Sequence, residues 1–177
     1  MVGGSLAALW LVHRAYFPTL PSASAEVMMG ATLPEISLPD EQGRPISLAS
    51  LRGHPSVILF YRGGFCPSCR AQLTALAERA PPFIAKGVRV VGISADPPSL
   101  SAKWKSTLGL PFPLLSDEEQ RLAPALCNAN AHCLVLLDPS GVVCWGELND
   151  NWRKTVKAET ILQAAYRLLH GRGALGS

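Results

Sequence analysis

Cys66 and Cys69 stand three positions apart in Phe60-Tyr61-Arg62-Gly63-Gly64-Phe65-Cys66-Pro67-Ser68-Cys69, where a buried-strand pattern gives way to a helical one. Cysteines at this spacing across a first helical turn lie near one another and can close a small disulfide ring. Cys66 falls at or beside the N-cap, where unpaired backbone N–H groups and the positive end of the helix dipole favour a thiolate. A thiol lowered from its reference pKa of about 8.5 presents more thiolate at neutral pH, the form that thiol exchange and attack on peroxide both require. Arg62 and Arg70 add positive charge, and Pro67 suits the first helical position because its missing N–H would have no partner there anyway. Gly63 and Gly64 let the chain turn sharply and leave the sulfur uncovered.

Three further cysteines complete an odd total of five. Cys127 and Cys133 flank Asn128-Ala129-Asn130-Ala131-His132 and are candidate secondary thiols. They would either form a second disulfide that resolves an oxidised Cys66 or Cys69, or act as small buried hydrophobes. Cys144 alternates with Val143 and Trp145 on a strand, which favours packing. A zinc site built from Cys66, Cys69, Cys127 and Cys133 is the competing use of these thiols, but the six-residue offset of the second pair fits poorly. No metal or other cofactor is expected, and no glycine-rich phosphate loop, His-Glu-x-x-His or Ser-His-Asp arrangement is visible.

The elements that must position these thiols follow from the apolar pattern. A chain of 177 residues with 48% hydrophobic and 16% charged residues is apolar enough to fold and long enough for one core. Its formal charge of +3 comes from interleaved acids and bases that leave no stripe for a phosphate backbone, so nucleic acid is not an expected partner. From Gly30 onward, short β-like runs alternate with helical ones, which predicts an α/β domain with a sheet covered on both faces. Pro34 to Asp40 and Arg44 to Leu48 read as an N-terminal β-hairpin around Glu41-Gln42-Gly43. Ser56 to Tyr61 and Val88 to Ile93 read as central strands, with Pro113 to Leu115 a short third one. Cys133 to Leu137 and Val142 to Trp145 read as a hairpin around Asp138-Pro139-Ser140-Gly141.

Helices are expected over Cys66 to Arg79, closed by Pro81-Pro82, and over Ser99 to Leu108. Another is expected to start at Asp117-Glu118-Glu119 and run toward Leu126, with a last one over Ala158 to His170. Asp96-Pro97-Pro98 reads as a turn, and Lys154 and Lys157 as a solvated face.

Residues 1–29 form an apolar extension or signal segment, 30–172 the domain and 173–177 a tail. The run from Leu6 to Val12 is too short to span a bilayer. Ala23-Ser24-Ala25 has the form of a cleavage site, but the basic residues follow the apolar run instead of preceding it. The expected location is therefore cytoplasmic, with export to a periplasm the alternative if residues 1–25 are a signal peptide.

The order of motifs resembles the thioredoxin-like redoxins, specifically the peroxiredoxin-like branch of the alkyl hydroperoxide reductase and thiol-specific antioxidant (AhpC/TSA) family, from Gly30 to about Leu169. It is carried by Leu38-Pro39-Asp40 with Gly43, by Phe60 to Cys69, by Ile93-Ser94-Ala95-Asp96, by Leu110 to Asp117 and by Leu137 to Gly141. The resemblance implies a thioredoxin-like fold, a central mixed β-sheet flanked by helices. It also implies a thiol-dependent oxidoreductase that takes a hydroperoxide or a disulfide as substrate, with a thioredoxin or small thiol as electron donor and a homodimer as a candidate assembly.

Against thioredoxins, Cys66 matches the attacking cysteine and Cys69 the resolving one. Against peroxiredoxins, Cys69 matches the cysteine that meets peroxide and Cys66 stands where a threonine is usual. Cys66 is the favoured attacker in disulfide exchange, with Tyr61, Arg62 and Pro67 as supporting neighbours. His132 occupies the position of the usual cis-proline, and the arginine common in peroxiredoxins near this point is missing from Asn128 to Cys133. His132 thus either fills an unusual backbone site or is a candidate hydrogen-bond donor or proton-transfer group. The loop Asn149 to Arg153 resembles the one before the last helix in redoxins, with Trp152 a candidate packing residue or partner anchor.

Overall fold

The structure, a computed structural model, describes residues 28–126, 132–148 and 157–170. The run Ser56–Phe60 forms strand β3, and every one of its five residues is buried. Alternation along a strand sends successive side chains to opposite faces. Val57, Leu59 and Tyr61 accordingly enter one apolar cluster, and Ile58 and Phe60 enter another on the far side. A strand wet on neither face belongs at the centre of a sheet. In the five-stranded order β5-β4-β3-β6-β7, β3 lies parallel to β4 (Arg89–Ser94) and antiparallel to β6 (Cys133–Leu137). β5 (Leu114–Ser116) pairs parallel with β4, and β7 (Val143–Leu148) closes the other edge antiparallel to β6. The N-terminal hairpin, β1 (Ser37–Pro39) and β2 (Pro45–Ser47), is a separate two-stranded antiparallel sheet. The chain therefore has the expected mixed sheet flanked by helices, with the hairpin as a separate element.

Helices α1 (Pro67–Arg79), α3 (Pro98–Leu108) and α5 (Ala158–His170) are the three long ones among the described residues. On α1 the buried positions Cys69, Leu73 and Leu76 follow the i, i+4, i+7 spacing of one helical face. On α5, Ile161, Leu162, Ala164 and Ala165 are buried in the same cluster as Cys66, Cys69, Val57 and Leu59. The opposite cluster draws on the hairpin, on the 3-10 turn Leu48–Leu51 and on Leu122 and Leu126.

One expectation is met and extended, and another is corrected. α1 ends at Arg79 ahead of Pro81-Pro82 as expected, but Pro81–Ile84 then forms a short helix of its own, α2, because proline is tolerated in a first turn. The helix expected from Asp117 is confined to Ala123–Leu126, α4. The Asp117 carboxylate takes the backbone N–H groups of Arg121 at 3.0 Å and Leu122 at 2.8 Å, while Gln120 adopts φ 51°. The acidic side chain thus captures the donors of a non-helical turn, a competition that Asp enters readily.

Replacing Asp117 by Ala should lower stability by about 1–3 kcal/mol, because two N–H groups, that of Leu122 buried, lose their acceptor. Urea unfolding of D117A checks this, and an unchanged midpoint would show that the turn holds without the carboxylate.

Candidate active site

Between the end of β3 and the start of α1 the chain turns through Tyr61 to Cys66. The Tyr61 N–H still donates to the Ile93 carbonyl at 3.0 Å, so the sheet supports the turn on one side. Gly63 has φ 140°, a conformation side chains avoid, and the Cys66 N–H donates back to the Gly63 carbonyl at 3.2 Å. Cys66 itself is extended (φ −82°, ψ 115°) and is the N-cap residue of α1, with Pro67 in the first turn. Its carbonyl accepts the Arg70 N–H at 3.1 Å, the first bond of the helix.

The two sulfurs differ because the helix presents them differently. Cys69 lies on the buried stripe of α1 and is fully buried, whereas Cys66 at the cap keeps 8% of its surface exposed. Burial opposes the Cys66 thiolate, but the neighbouring Cys69 and the Ser68 hydroxyl favour it, and Arg62 adds positive charge. Together these bring Cys66 down to about 7 from an ordinary value of 9.0. The Ser68 Oγ stands 3.1 Å from the Cys66 Sγ. Burial pushes Cys69 up to about 12, and the hydrogen bond it gives to Cys66 holds its proton further. Both are free thiols here.

His132 reaches this pair through strand register. Phe60 faces Cys133 across the β3–β6 ladder, so His132, one residue before β6, sits at the open end of the sheet beside the start of α1. Its Nδ1 lies 3.8 Å from the Cys69 Sγ, the ring is buried, and its Nε2 has no hydrogen-bond partner among the described residues. Burial, with Arg62 nearby, pushes its pKa down to about 4, so the imidazole is neutral at physiological pH. Arg62 is exposed and acts on Cys66 and His132 through its charge. Arg70, the other cation expected beside the pair, places its guanidinium 5.3 Å from the Trp104 ring centroid. Tyr61 is buried, its phenol pushed up to about 12 chiefly by that burial.

The other thiols fall elsewhere. Cys133 is fully buried in the cluster on the sheet face opposite the α1 pair, so the structure does not bring it to Cys66 and Cys69. This placement removes it from the four-cysteine zinc set. Among the described residues no group of three or more His, Cys, Asp or Glu stands where it could hold a metal ion. Cys144 points its Sγ at the Leu136 carbonyl at 3.3 Å, and burial raises its pKa. Cys127, Trp152 and the loop Asn149 to Arg153 lie outside the described residues. A cavity of about 120 Å³ lined by Phe60, Arg62, Ile93, Asp117, Gln120 and Ala123 touches neither cysteine, so it is not where a thiol would meet a substrate.

Four neighbours of the site were not assigned to it by sequence reasoning. Ser68 had a signal, a hydroxyl two residues beyond the thiol. Phe65, 70% exposed beside Cys66, had none, since exposure of a large apolar residue is a tertiary property. Asp96 accepts the Gly64 N–H at 2.8 Å, and Trp104 packs against the Gly64 backbone. These two residues belong to the β4–α3 corner and to α3.

A dithiol at the cap of a helix beside a mixed sheet is an arrangement of the thioredoxin-like fold, and comparisons with known proteins narrow the class. The model of the AhpC/TSA family matches residues 29–145, and the chain belongs to that family. Over 101 residues it is 38% identical to the chloroplastic peroxiredoxin Q of Sedum lineare, covering 57% of this chain and 54% of that one. The chain spans about half the length of the curated relatives it matches. The fold superposes on a peroxiredoxin Q structure from Xanthomonas campestris with a TM-score of 0.68 at 22% identity, covering 80% of this chain and 97% of that one. It superposes on an uncharacterized conserved protein of Geobacillus kaustophilus with a TM-score of 0.70 at 25% identity, covering 86% and 88%. Among the described residues no helix is long and apolar enough to cross a membrane.

The asymmetry of the pair predicts two separate titrations. The rate of Cys66 alkylation by iodoacetamide should rise with pH to a half-point of about 7, because the thiolate is lost as pH falls through that value. Cys69 should remain unlabelled up to at least about pH 10, with its half-point at about 12. Peptide mapping of the labelled protein reads both, and a single shared half-point near 9 would contradict the geometry.

Proposed function

We propose that the chain reduces hydroperoxides with electrons from an external dithiol, by a cycle confined to Cys66 and Cys69. The observation that carries this reading is the asymmetry of the sulfurs: one at the helix cap, 8% exposed and 3.1 Å from the Ser68 hydroxyl, and one fully buried a turn below, which favours the thiolate at Cys66 and the thiol at Cys69. Membership of the AhpC/TSA family and likeness to peroxiredoxin Q sequences support a peroxide as the oxidant.

In the first step the Cys66 thiolate attacks the terminal peroxide oxygen of R′OOH. The O–O bond breaks, the sulfur is oxidised to Cys66–SOH, and R′O⁻ takes a proton to leave as R′OH. In the second step the Cys69 sulfur displaces hydroxide from Cys66–SOH, forming the Cys66–Cys69 disulfide. The proton lost from Cys69 joins the hydroxide as water. A donor dithiol then reduces the disulfide by exchange, becomes a disulfide itself and restores both thiols.

His132 serves the second step. In this mechanism Cys69 gives its one S–H to the Cys66 thiolate, and a His132 with its proton on Nδ1 donates to the Cys69 sulfur across the 3.8 Å contact. That donor steadies the charge growing on Cys69 as it becomes a nucleophile. A neutral ring with a pKa of about 4 suits this donor role better than that of a proton acceptor, which works best near the operating pH.

A second reading, reduction of protein disulfides, uses the same pair. The exposed Phe65 beside Cys66 favours it, because a protein substrate would find an apolar contact there. Peroxide consumption and insulin reduction, measured side by side with one donor, separate the two.

C66S should lose peroxide turnover by at least about a hundredfold. C69S should consume one equivalent of peroxide and stop at a sulfenic acid that dimedone traps on Cys66. Trapping on Cys69 in C66S would reverse the two roles.

H132A should slow disulfide closure about tenfold, roughly the worth of one hydrogen bond to a charged group. Stopped-flow measurement of thiol loss after a single peroxide pulse reads this step, and closure at the wild-type rate would remove His132 from the mechanism.

A further inference from the structure

The turn that delivers Cys66 to its helix cap is held from outside its own segment. Asp96 follows β4 and is buried at 7% exposure, and its Oδ2 accepts the Gly64 N–H at 2.8 Å. Its Oδ1 lies 2.8 Å from where a Cβ on Gly63 would stand, so the carboxylate fills the space that glycine leaves open. The Asp96 N–H is fixed in turn by the Ser94 Oγ at 3.2 Å, and Pro97 and Pro98 stiffen the chain that follows. Trp104 of α3 closes the other side: a Cβ on Gly64 would fall 1.7 Å from its Nε1, so the indole lies directly on the backbone. The Arg70 guanidinium, from the first turn of α1, sits over that same ring. The turn before Cys66 is thus gripped between a buried carboxylate and a half-buried indole, both carried by the β4–α3 corner.

We propose that Asp96 is a positioning residue of the thiol site, acting through the Gly64 N–H to hold Cys66 where the donors of α1 converge on its sulfur. Burying a carboxylate close to a site that must stabilise a thiolate is electrostatically unfavourable for that thiolate, since like charges repel. Its presence there is accounted for by its bond to the turn. Two physical effects of Asp96 therefore have opposite signs. Its charge raises the Cys66 pKa, and its hydrogen bond, by keeping the cap geometry, lowers it.

That opposition makes the test decisive. The inference needs only a reactive Cys66 and not the peroxidase reading, so alkylation measures it independently of any substrate. Asp96→Ala removes both charge and acceptor, and Asp96→Asn removes the charge but keeps an oxygen that can accept the Gly64 N–H. We expect D96A to raise the pH midpoint of Cys66 alkylation by about one unit, which lowers the rate at pH 7 about fivefold. D96N should return the midpoint to the wild-type value or slightly below it. A midpoint that falls in both variants would mean that Asp96 acts only through its charge. Unchanged midpoints in both, with a lower melting temperature, would mean that it supports the fold alone. Either result overturns the proposal. Should D96A fail to fold, Trp104→Phe with D96N keeps the question open to measurement: W104F should raise the midpoint by relaxing the opposite side of the grip, and a wild-type midpoint in W104F together with a clear fall in D96N overturns the proposal.

Discussion

The site depends on the hydrogen bonds that converge on the Cys66 sulfur at the first turn of α1. A helix begins with N–H groups that have no partner within it, and a side chain at the cap is the nearest acceptor. When that side chain is a thiol, the donors favour its ionised form, and here the Ser68 hydroxyl and the Cys69 thiol join them. The stabilisation comes from local dipoles at short range, so it requires Cys66 to hold the cap conformation closely. The Gly63-Gly64 turn, Pro67 and the buried stripe below Cys69 all bear on that requirement.

The same helix makes its two cysteines opposites. Three residues along α1 carry the chain from the cap to the apolar face, so Cys69 shares its environment with Leu73 and Leu76 and keeps its proton. In the proposed cycle, that burial shields Cys69 from oxidant until Cys66 has reacted. The residue just before β6 is a histidine at the level where α1 starts, neutral because it is buried and beside Arg62. Within one turn of helix, Arg62 thus favours the Cys66 thiolate while burial keeps Cys69 protonated and His132 neutral.

Much of this was legible in the chain. The strand Ser56–Phe60, the helix after it and the hairpin of β6 and β7 follow from apolar runs and turn residues, and their boundaries agree to within a residue or a few. The dithiol and its place at a strand-to-helix junction could be read directly. Asp117 could not, because an acidic residue before an apolar run looks the same whether it starts a helix or captures the N–H groups of a turn. Nor could the separation of Cys133 from the pair, which depends on which face of β6 each residue takes.

The sequence by itself determined that two thiols would sit three residues apart at the mouth of a helix, because strand alternation, helical spacing and capping act over a few residues. Only the tertiary structure decided which groups surround them. His132 meets Cys69 across 63 positions of chain and Asp96 meets Gly64 across 32. Those distances are set by strand register and by the packing of α3 against the turn, neither of which any local pattern of residues encodes.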